Sequence, residues 1–216
     1  METSLLVLGK GDNVITMILD NLYSTYKLKD IIVYNNLNLP TINPFEHKGF
    51  NIEVLNEVDI DDYYQYALGV YQPQNKIKIV QKLNPAILKF VNIIHDGLDM
   101  SHTSKLGDGI LINSKVSIAA HTIIGDFVTI NRHVSIGHHT TIGDYCSINP
   151  GVNIAGNVTI GESTTIGMGT NVIDGVKIGD NTIIGAGSLV TKDIPNNVVA
   201  YGNPCKIIRK NETQSI

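Results

Sequence analysis

The residues best suited to chemistry in this chain lie in one short segment, Ser135-Ile136-Gly137-His138-His139-Thr140-Thr141-Ile142-Gly143-Asp144, followed by Asn149-Pro150-Gly151. An unperturbed imidazole titrates near pH ~6.5, so at neutrality it can take a proton from an attacking amine or hydroxyl. Acyl transfer from a thioester needs such a base, together with an N–H donor for the oxyanion that develops on the carbonyl. His133 and His138 also have an H-x4-H spacing. Two imidazoles alone make a poor zinc site, because a catalytic one takes three protein ligands, and no metal is expected.

The elements that position these histidines are set by a repeat. Residues 106–195 divide into fifteen consecutive hexads with no insertion, and every hexad opens on an aliphatic residue, from Leu106, Ile112 and Ile118 to Ile184 and Val190. The fifth position is small or β-branched throughout, as in Val116, Thr122, Cys146, Thr164 and Ser188, which suits a narrow interior. Gly or Asn fills the second position in eleven of the fifteen hexads, and the expectation is that these residues supply positive φ at a corner. Period six with β-branched residues contradicts a helix. Three short parallel strands per 18-residue coil, stacked five deep, make a β-solenoid.

In that register His138 and His139 occupy neither inward position and should project outward. A step of 18 residues carries His121 to His139 and on to Asn157, one outer column, whereas His138 stacks between Ala120 and Gly156. Two such small neighbours leave room beside the imidazole, and the Gly156 N–H is the candidate oxyanion donor. His121 and His133 read as solvated side chains. Cys146 falls at an inward fifth position and reads as a buried thiol. With Cys205 it makes neither a CxxC pair nor a disulfide framework.

Residues 1–95 follow a different rhythm, one that predicts a small Rossmann-like α/β lobe with a parallel sheet. Strands are expected at 4–8, 30–34 and 66–71, and helices at 14–22, with Asp12 as N-cap, and at 73–83, with proline in the first turn. Gly9-Lys10-Gly11 could bring backbone N–H groups to a diphosphate, or could simply turn the strand into the helix, since Val14 stands where a third glycine would complete a dinucleotide fingerprint. Asn35-Asn36 is either a ligand contact or turn chemistry. The solenoid is assigned to 96–195 and a C-terminal tail to 196–216. A formal net charge of −4 without a long basic cluster argues against nucleic-acid binding, and the short apolar run at 5–8 is neither signal peptide nor membrane span, so a cytoplasmic protein is expected.

Taken together, Leu8-Gly9-Lys10-Gly11, Ile94-His95, the histidine segment and the ending Gly185-Ala186-Gly187-Ser188-Leu189-Val190-Thr191-Lys192-Asp193-Ile194-Pro195 with Gly202-Asn203-Pro204 resemble a known family. It is the hexapeptide-repeat sialic-acid O-acetyltransferase (NeuD) and PglD-like nucleotide-sugar N-acetyltransferase family. The resemblance implies a left-handed parallel β-helix and a homotrimer with acetyl-CoA as co-substrate along the groove between neighbouring solenoids. It also implies a nucleotide-activated amino sugar held by the lobe. By position it makes His138 the general base, Gly156 and Ala186 backbone contacts to acetyl-CoA, and Met168 a CoA-lining residue. Gly9, Lys10, Gly11, Asn35 and Asn36 become the sugar-nucleotide turns.

This chain departs from the family in three places. His139 replaces an acidic residue that orients the base, Ser147 replaces a second histidine and could still reach the thioester carbonyl, and Asp12-Asn13 replaces a small residue and histidine. Trimeric zinc-type carbonic anhydrases share the fold but need a histidine two coils before His133, where Gly97 stands. Lys206, Arg209 and Lys210 either meet CoA phosphates or are solvated. The leading expectation is N-acetylation of a nucleotide-linked 4-amino-deoxy sugar. The alternatives are O-acetylation of a sugar hydroxyl by the same apparatus and a non-catalytic trimeric scaffold.

Overall fold

Two inward positions in every six residues are buried together only if the chain turns a corner in each hexad and closes on itself after three. In the computed structural model, which describes residues 5–9, 12–25, 30–34, 51–55, 65–83 and 88–212, the chain does this from Ile93 onward. Two-residue strands recur every six residues, and each pairs in parallel with the strand 18 residues on, as in Ile124↔Ile142 and Ile136↔Ile154. The strands Ile93–Ile94 and Asp99–Met100 join the same ladders, so the prism begins before the first of the fifteen hexads.

Three faces result. One, here the lobe face, stacks Leu111–Ile112, Thr129–Ile130 and Ser147–Ile148; a second stacks Ser117–Ile118, Ser135–Ile136 and Asn153–Ile154; a third stacks Ile123–Ile124, Thr141–Ile142 and Thr159–Ile160. First- and fifth-position side chains form one continuous core from Ile110 to Ile194. Polar fifth positions are tolerated there because each hydroxyl reaches a backbone carbonyl: Thr140 Oγ1 donates to Ala155 O at 3.1 Å and Thr164 Oγ1 to Gly179 O at 2.8 Å. The Cys146 thiol donates to Gly161 O at 3.0 Å, and burial pushes its pKa up to about 12, so it is an inert core residue.

The corners correct one expectation. Positive φ falls on the fourth residue of the hexad, not the second: Lys115, His121, Phe127, His133, His139, Tyr145, Asn157, Ser163 and Asn181 all hold it, with Gly at the other fourth positions from Gly109 to Gly187. Second-position glycines answer a different constraint, the closeness of successive coils. A Cβ on Gly137 would stand 2.5 Å from the backbone N of Gly156, and one on Gly167 2.5 Å from that of Ala186. Side chains held in the left-handed region cost on the order of 1–3 kcal/mol each and persist only where the surroundings impose them. Here the fourth-position N–H is held by the coil before it, as in His139 N–H to Ala120 O at 2.9 Å and Asn157 N–H to His138 O at 2.8 Å.

The lobe is a four-stranded parallel sheet in the order β3-β2-β1-β4, with β1 Leu5–Leu8, β2 Asp30–Tyr34, β3 Asn51–Leu55 and β4 Gln65–Leu68. Helices α1, Asp12–Thr25, and α2, Pro73–Lys82, follow β1 and β4. The β3 strand was not among the sequence expectations. The lobe docks on one face of the prism, where the outward Leu111, Thr129 and Ser147 are buried, while their counterparts Ser117, Ser135, Ile123 and Thr141 on the other faces stay exposed. Phe90 packs edge-on against Phe127 and Phe127 stacks on Tyr145. Asn21 Nδ2 donates to Ile112 O at 2.9 Å.

Lys76 of α2 is fully buried at this junction, its Nζ donating to Phe127 O at 2.9 Å, Cys146 O at 3.0 Å and Ser147 Oγ at 3.2 Å. At the other end of the chain the basic segment Lys206–Lys210 is an exposed strand pairing antiparallel with Val198–Tyr201, which extends the lobe-face sheet by a hairpin.

Candidate active site

His138 stands on the corner that joins the second face to the third, the prism edge opposite the lobe face. The sequence register put Ala120, His138 and Gly156 in one column of that edge, and the next 18-residue step adds Asp174. The space above Gly156 is not empty. The imidazole leans onto it, so that a Cβ at Gly156 would lie 2.7 Å from His138 Cε1 and 2.8 Å from Nε2. Asp174 approaches the same point from the next coil, with Oδ1 at 3.0 Å.

His139, at φ 56°, lies in the left-handed region at its corner, and its ring meets two others. It stacks obliquely on His121, with centroids 4.8 Å apart, and its Nδ1 lies 3.1 Å from His138 Nδ1. A hydrogen bond between two Nδ1 atoms needs one donor and one acceptor. With His138 as donor its Nε2 carries the free lone pair and faces Gly156, which is the tautomer a base requires. In that arrangement His139 Nδ1 is the acceptor.

The backbone beside it, at Gly156, is buried under the imidazole. On the edge between the third face and the lobe face, carboxylates one coil on cap the third-position N–H groups: Asp108 N–H donates to Asp126 Oδ1 at 2.9 Å, Asp126 N–H to Asp144 Oδ1 at 2.8 Å and Glu162 N–H to Asp180 Oδ1 at 3.0 Å. Gly156 N–H has no such partner among the described residues. Asp174, which holds the equivalent position one coil on, instead accepts from Asn157 Nδ2 at 3.2 Å. An unclaimed N–H beside an imidazole is what an oxyanion donor requires.

The other expected site residues fall elsewhere. Met168, 59% exposed, and Ala186 share a column on the edge between the lobe face and the second face. There a groove of about 830 Å³ runs between α1 and the prism, lined by Val14, Met17, Tyr71, Asn131, Arg132 and Met168 among others. Ser147 is a correction: it is fully buried under the lobe, where its Oγ donates to Tyr71 O at 2.6 Å and accepts from Lys76, so it has no surface for a thioester. Gly9 is buried at the end of β1 with φ 92°, donating to Tyr34 O at 2.8 Å, and a Cβ on Gly69 would strike its carbonyl. These contacts make it a structural turn. Lys10, Gly11, Asn35 and Asn36 lie outside the described residues.

One chain therefore holds its expected site on two different edges, His138 and Gly156 on one, Met168 and Ala186 on another. Sequence reasoning missed Asp174, although the same 18-residue step that found Gly156 reaches it. It also missed Lys76 and Tyr71, whose burial depends on lobe docking. No group of three or more His, Cys, Asp or Glu that could hold a metal occurs among the described residues, and no helix there is long and apolar enough to cross a membrane.

Residues 121–156 and 157–192 each match the bacterial transferase hexapeptide (six repeats) family. No curated protein matches the sequence. Among solved structures, the acetyltransferase domain of PglB from Neisseria gonorrhoeae is similar over 95% of this chain and 100% of its own, with TM-score 0.85 and 21% identity. PerB from Caulobacter crescentus, solved in complex with CoA and GDP-perosamine, is similar over 95% of this chain and 97% of its own, with TM-score 0.79 and 26% identity. WeeI from Acinetobacter baumannii is similar at TM-score 0.76 and 19% identity, over 95% of this chain and all of its own. These likenesses make the solenoid a left-handed parallel β-helix.

Proposed function

We propose that this chain, an acyltransferase of the hexapeptide-repeat, left-handed β-helix class, moves the acetyl group of acetyl-CoA onto the amino group of a nucleotide-activated 4-amino-deoxy sugar. The observation that carries this reading is the closeness of His138 Nε2 to Gly156, whose N–H has no partner among the described residues. His138 takes the proton of the amine, the nitrogen attacks the thioester carbonyl, and the Gly156 N–H receives the oxyanion. The His138–His139 contact holds the base in its working tautomer. Support for the amino-sugar acceptor comes from PerB, whose solved complex contains CoA and GDP-perosamine and which is similar to this chain over nearly its full length.

The separation of the expected residues onto two edges supports a homotrimer in which the histidine edge of one copy faces the Met168–Ala186 edge of the next. Exposed Met168 then offers an apolar surface to the pantetheine arm, and the α1 groove offers its polar lining to the nucleotide sugar. Use of acetyl-CoA fits a cytoplasmic site. Thiol release from acetyl-CoA, measured across nucleoside diphosphate amino sugars and their hydroxyl-only counterparts, tests the reading. Turnover with an amine acceptor that falls about 100-fold or more in His138→Ala is expected for a general base; near wild-type turnover in that variant would exclude His138 from the role.

A further inference from the structure

We propose that Asp174 is the acceptor-binding residue that selects an amine over a hydroxyl, its carboxylate holding the substrate ammonium beside His138. The inference rests on the amino-sugar reading and deepens it. His138 Nε2 and Asp174 Oδ1 both lie within 3.0 Å of the point where a Gly156 side chain would begin, so they cannot be further apart than twice that distance. Hydrogen bonds to nitrogen span ~2.7–3.2 Å, so a separation no greater than that bound is within the reach of one bridging nitrogen.

The carboxylate is also free to do this. Three carboxylates in the same one-coil relation on the neighbouring edge are occupied with capping backbone N–H groups. Among the described residues Asp174 caps none; it is exposed and is held in place through Oδ1 by the Asn157 amide. A hydroxyl acceptor gains nothing from a carboxylate beyond an ordinary hydrogen bond, whereas an ammonium gains a charge-assisted one.

The proton balance is consistent. An aliphatic amine, like the lysine side chain with its pKa near ~10.4, arrives as R–NH3⁺ at neutrality. One proton passes to His138 Nε2 and on to solvent, which frees the lone pair. The nitrogen then forms the C–N bond, its second proton is taken by His138, the C–S bond breaks, and the CoA thiolate receives that proton. R–NH3⁺ and acetyl-CoA thus give the amide, CoA–SH and one H⁺.

The test uses Asp174→Asn, which preserves an oxygen acceptor for Asn157 Nδ2 while removing the charge. The probes are the nucleoside diphosphate amino sugar best used by the wild-type enzyme and the 4-hydroxy counterpart of the same nucleotide sugar. Expected is a rise of about 10- to 100-fold in KM for the amino sugar, with kcat and the KM for acetyl-CoA within about 3-fold of wild type, the range set by loss of a hydrogen bond to a charged group. Calorimetric binding to the CoA-loaded enzyme should show the same loss for the amino sugar and none for the hydroxy sugar, a difference that a merely structural role would not produce. Equal loss for both ligands, or an unchanged KM for the amine, would overturn the role of Asp174 while leaving the N-acetyltransferase reading intact. A wild-type enzyme that acetylates only hydroxyl acceptors would instead overturn that reading, and this inference with it.

Discussion

Gly156→Ala isolates the geometry of the catalytic edge from the stability of the prism. The new Cβ would stand 2.7 Å from His138 Cε1 and 2.8 Å from Nε2, whereas carbon atoms rest at about 3.5–4.0 Å. The ring must retreat by about 1 Å. Misplacement of a catalytic group by that much costs on the order of 100-fold in rate, or about 2.7 kcal/mol of transition-state stabilisation. The backbone has no comparable objection, because Gly156 does not hold a left-handed φ and the atoms in the way belong to side chains at the surface. Alanine there removes unfolded-state freedom worth ~0.4–1 kcal/mol, so the melting temperature should move by no more than about 4 °C. Gly161→Ala is the control. Its Cβ would meet the Asp180 backbone N at 2.6 Å, far from either histidine, and it should lower the melting temperature without changing the kcat of the folded protein. Steady-state thiol release and thermal melts of the two variants decide the matter. A Gly156→Ala enzyme with kcat/KM within about 3-fold of wild type would mean that the imidazole works from another position.

Two further outcomes follow from contacts beside the site and beneath the lobe. His139→Phe removes the acceptor 3.1 Å from His138 Nδ1 and should lower kcat about 10-fold with little change in KM, while His139→Glu, which restores an acceptor there, should retain activity; equal loss in both would show that His139 does not act through that contact. Burial lowers the Lys76 pKa to about 7 from 10.5, so between those values the unfolded chain binds more protons and stability rises with pH by up to ~1.4 kcal/mol per unit. The Cys146 thiol and Tyr71 hydroxyl, whose pKa values burial raises, oppose this only in more alkaline solution. Urea melts from pH 7 to 8.5 should show this slope in wild type and its loss in Lys76→Met; identical slopes would mean that the three oxygen acceptors around Nζ keep the ammonium charged throughout.

The prism was legible because a period of six leaves little alternative for where Ile124, Ile142 and Ile160 must stack, and the same arithmetic put His138 over Gly156. The glycine pattern was misassigned for a physical reason. Gly125 and Lys115 are equally silent in sequence about φ, and only coordinates reveal that a corner places its strain on the fourth residue while the second is squeezed by the next coil. Ser147 was misread because a hexad register tells inside from outside but not which outward face is covered. Its neighbours in the register, Ser117 and Ser135, are exposed on another face, and it is the lobe, through Lys76 and Tyr71, that buries it. In the lobe itself, β3 was overlooked although Asn51-Ile52-Glu53-Val54 alternates polar and apolar as a half-buried strand does.

The same limit explains why the site had to be read as edges and not as a list. An 18-residue step relates residues along one edge with the fidelity of a lattice, so Asp174 was as available to reasoning as Gly156. Relations between edges follow from closure of the coil. With the lobe on one face, the corner bearing His138 is the one it does not adjoin, and the groove against α1 opens on a different corner, beside Arg132 and Met168. A single chain thus separates His138, the proposed base, from the surface proposed to hold its substrates. In the proposed homotrimer a second copy docks along the uncovered second face, which lies between those two edges, so mixing His138→Ala chains with chains crippled only at Met168 should restore activity that neither has alone; no gain on mixing would refute a site shared between copies.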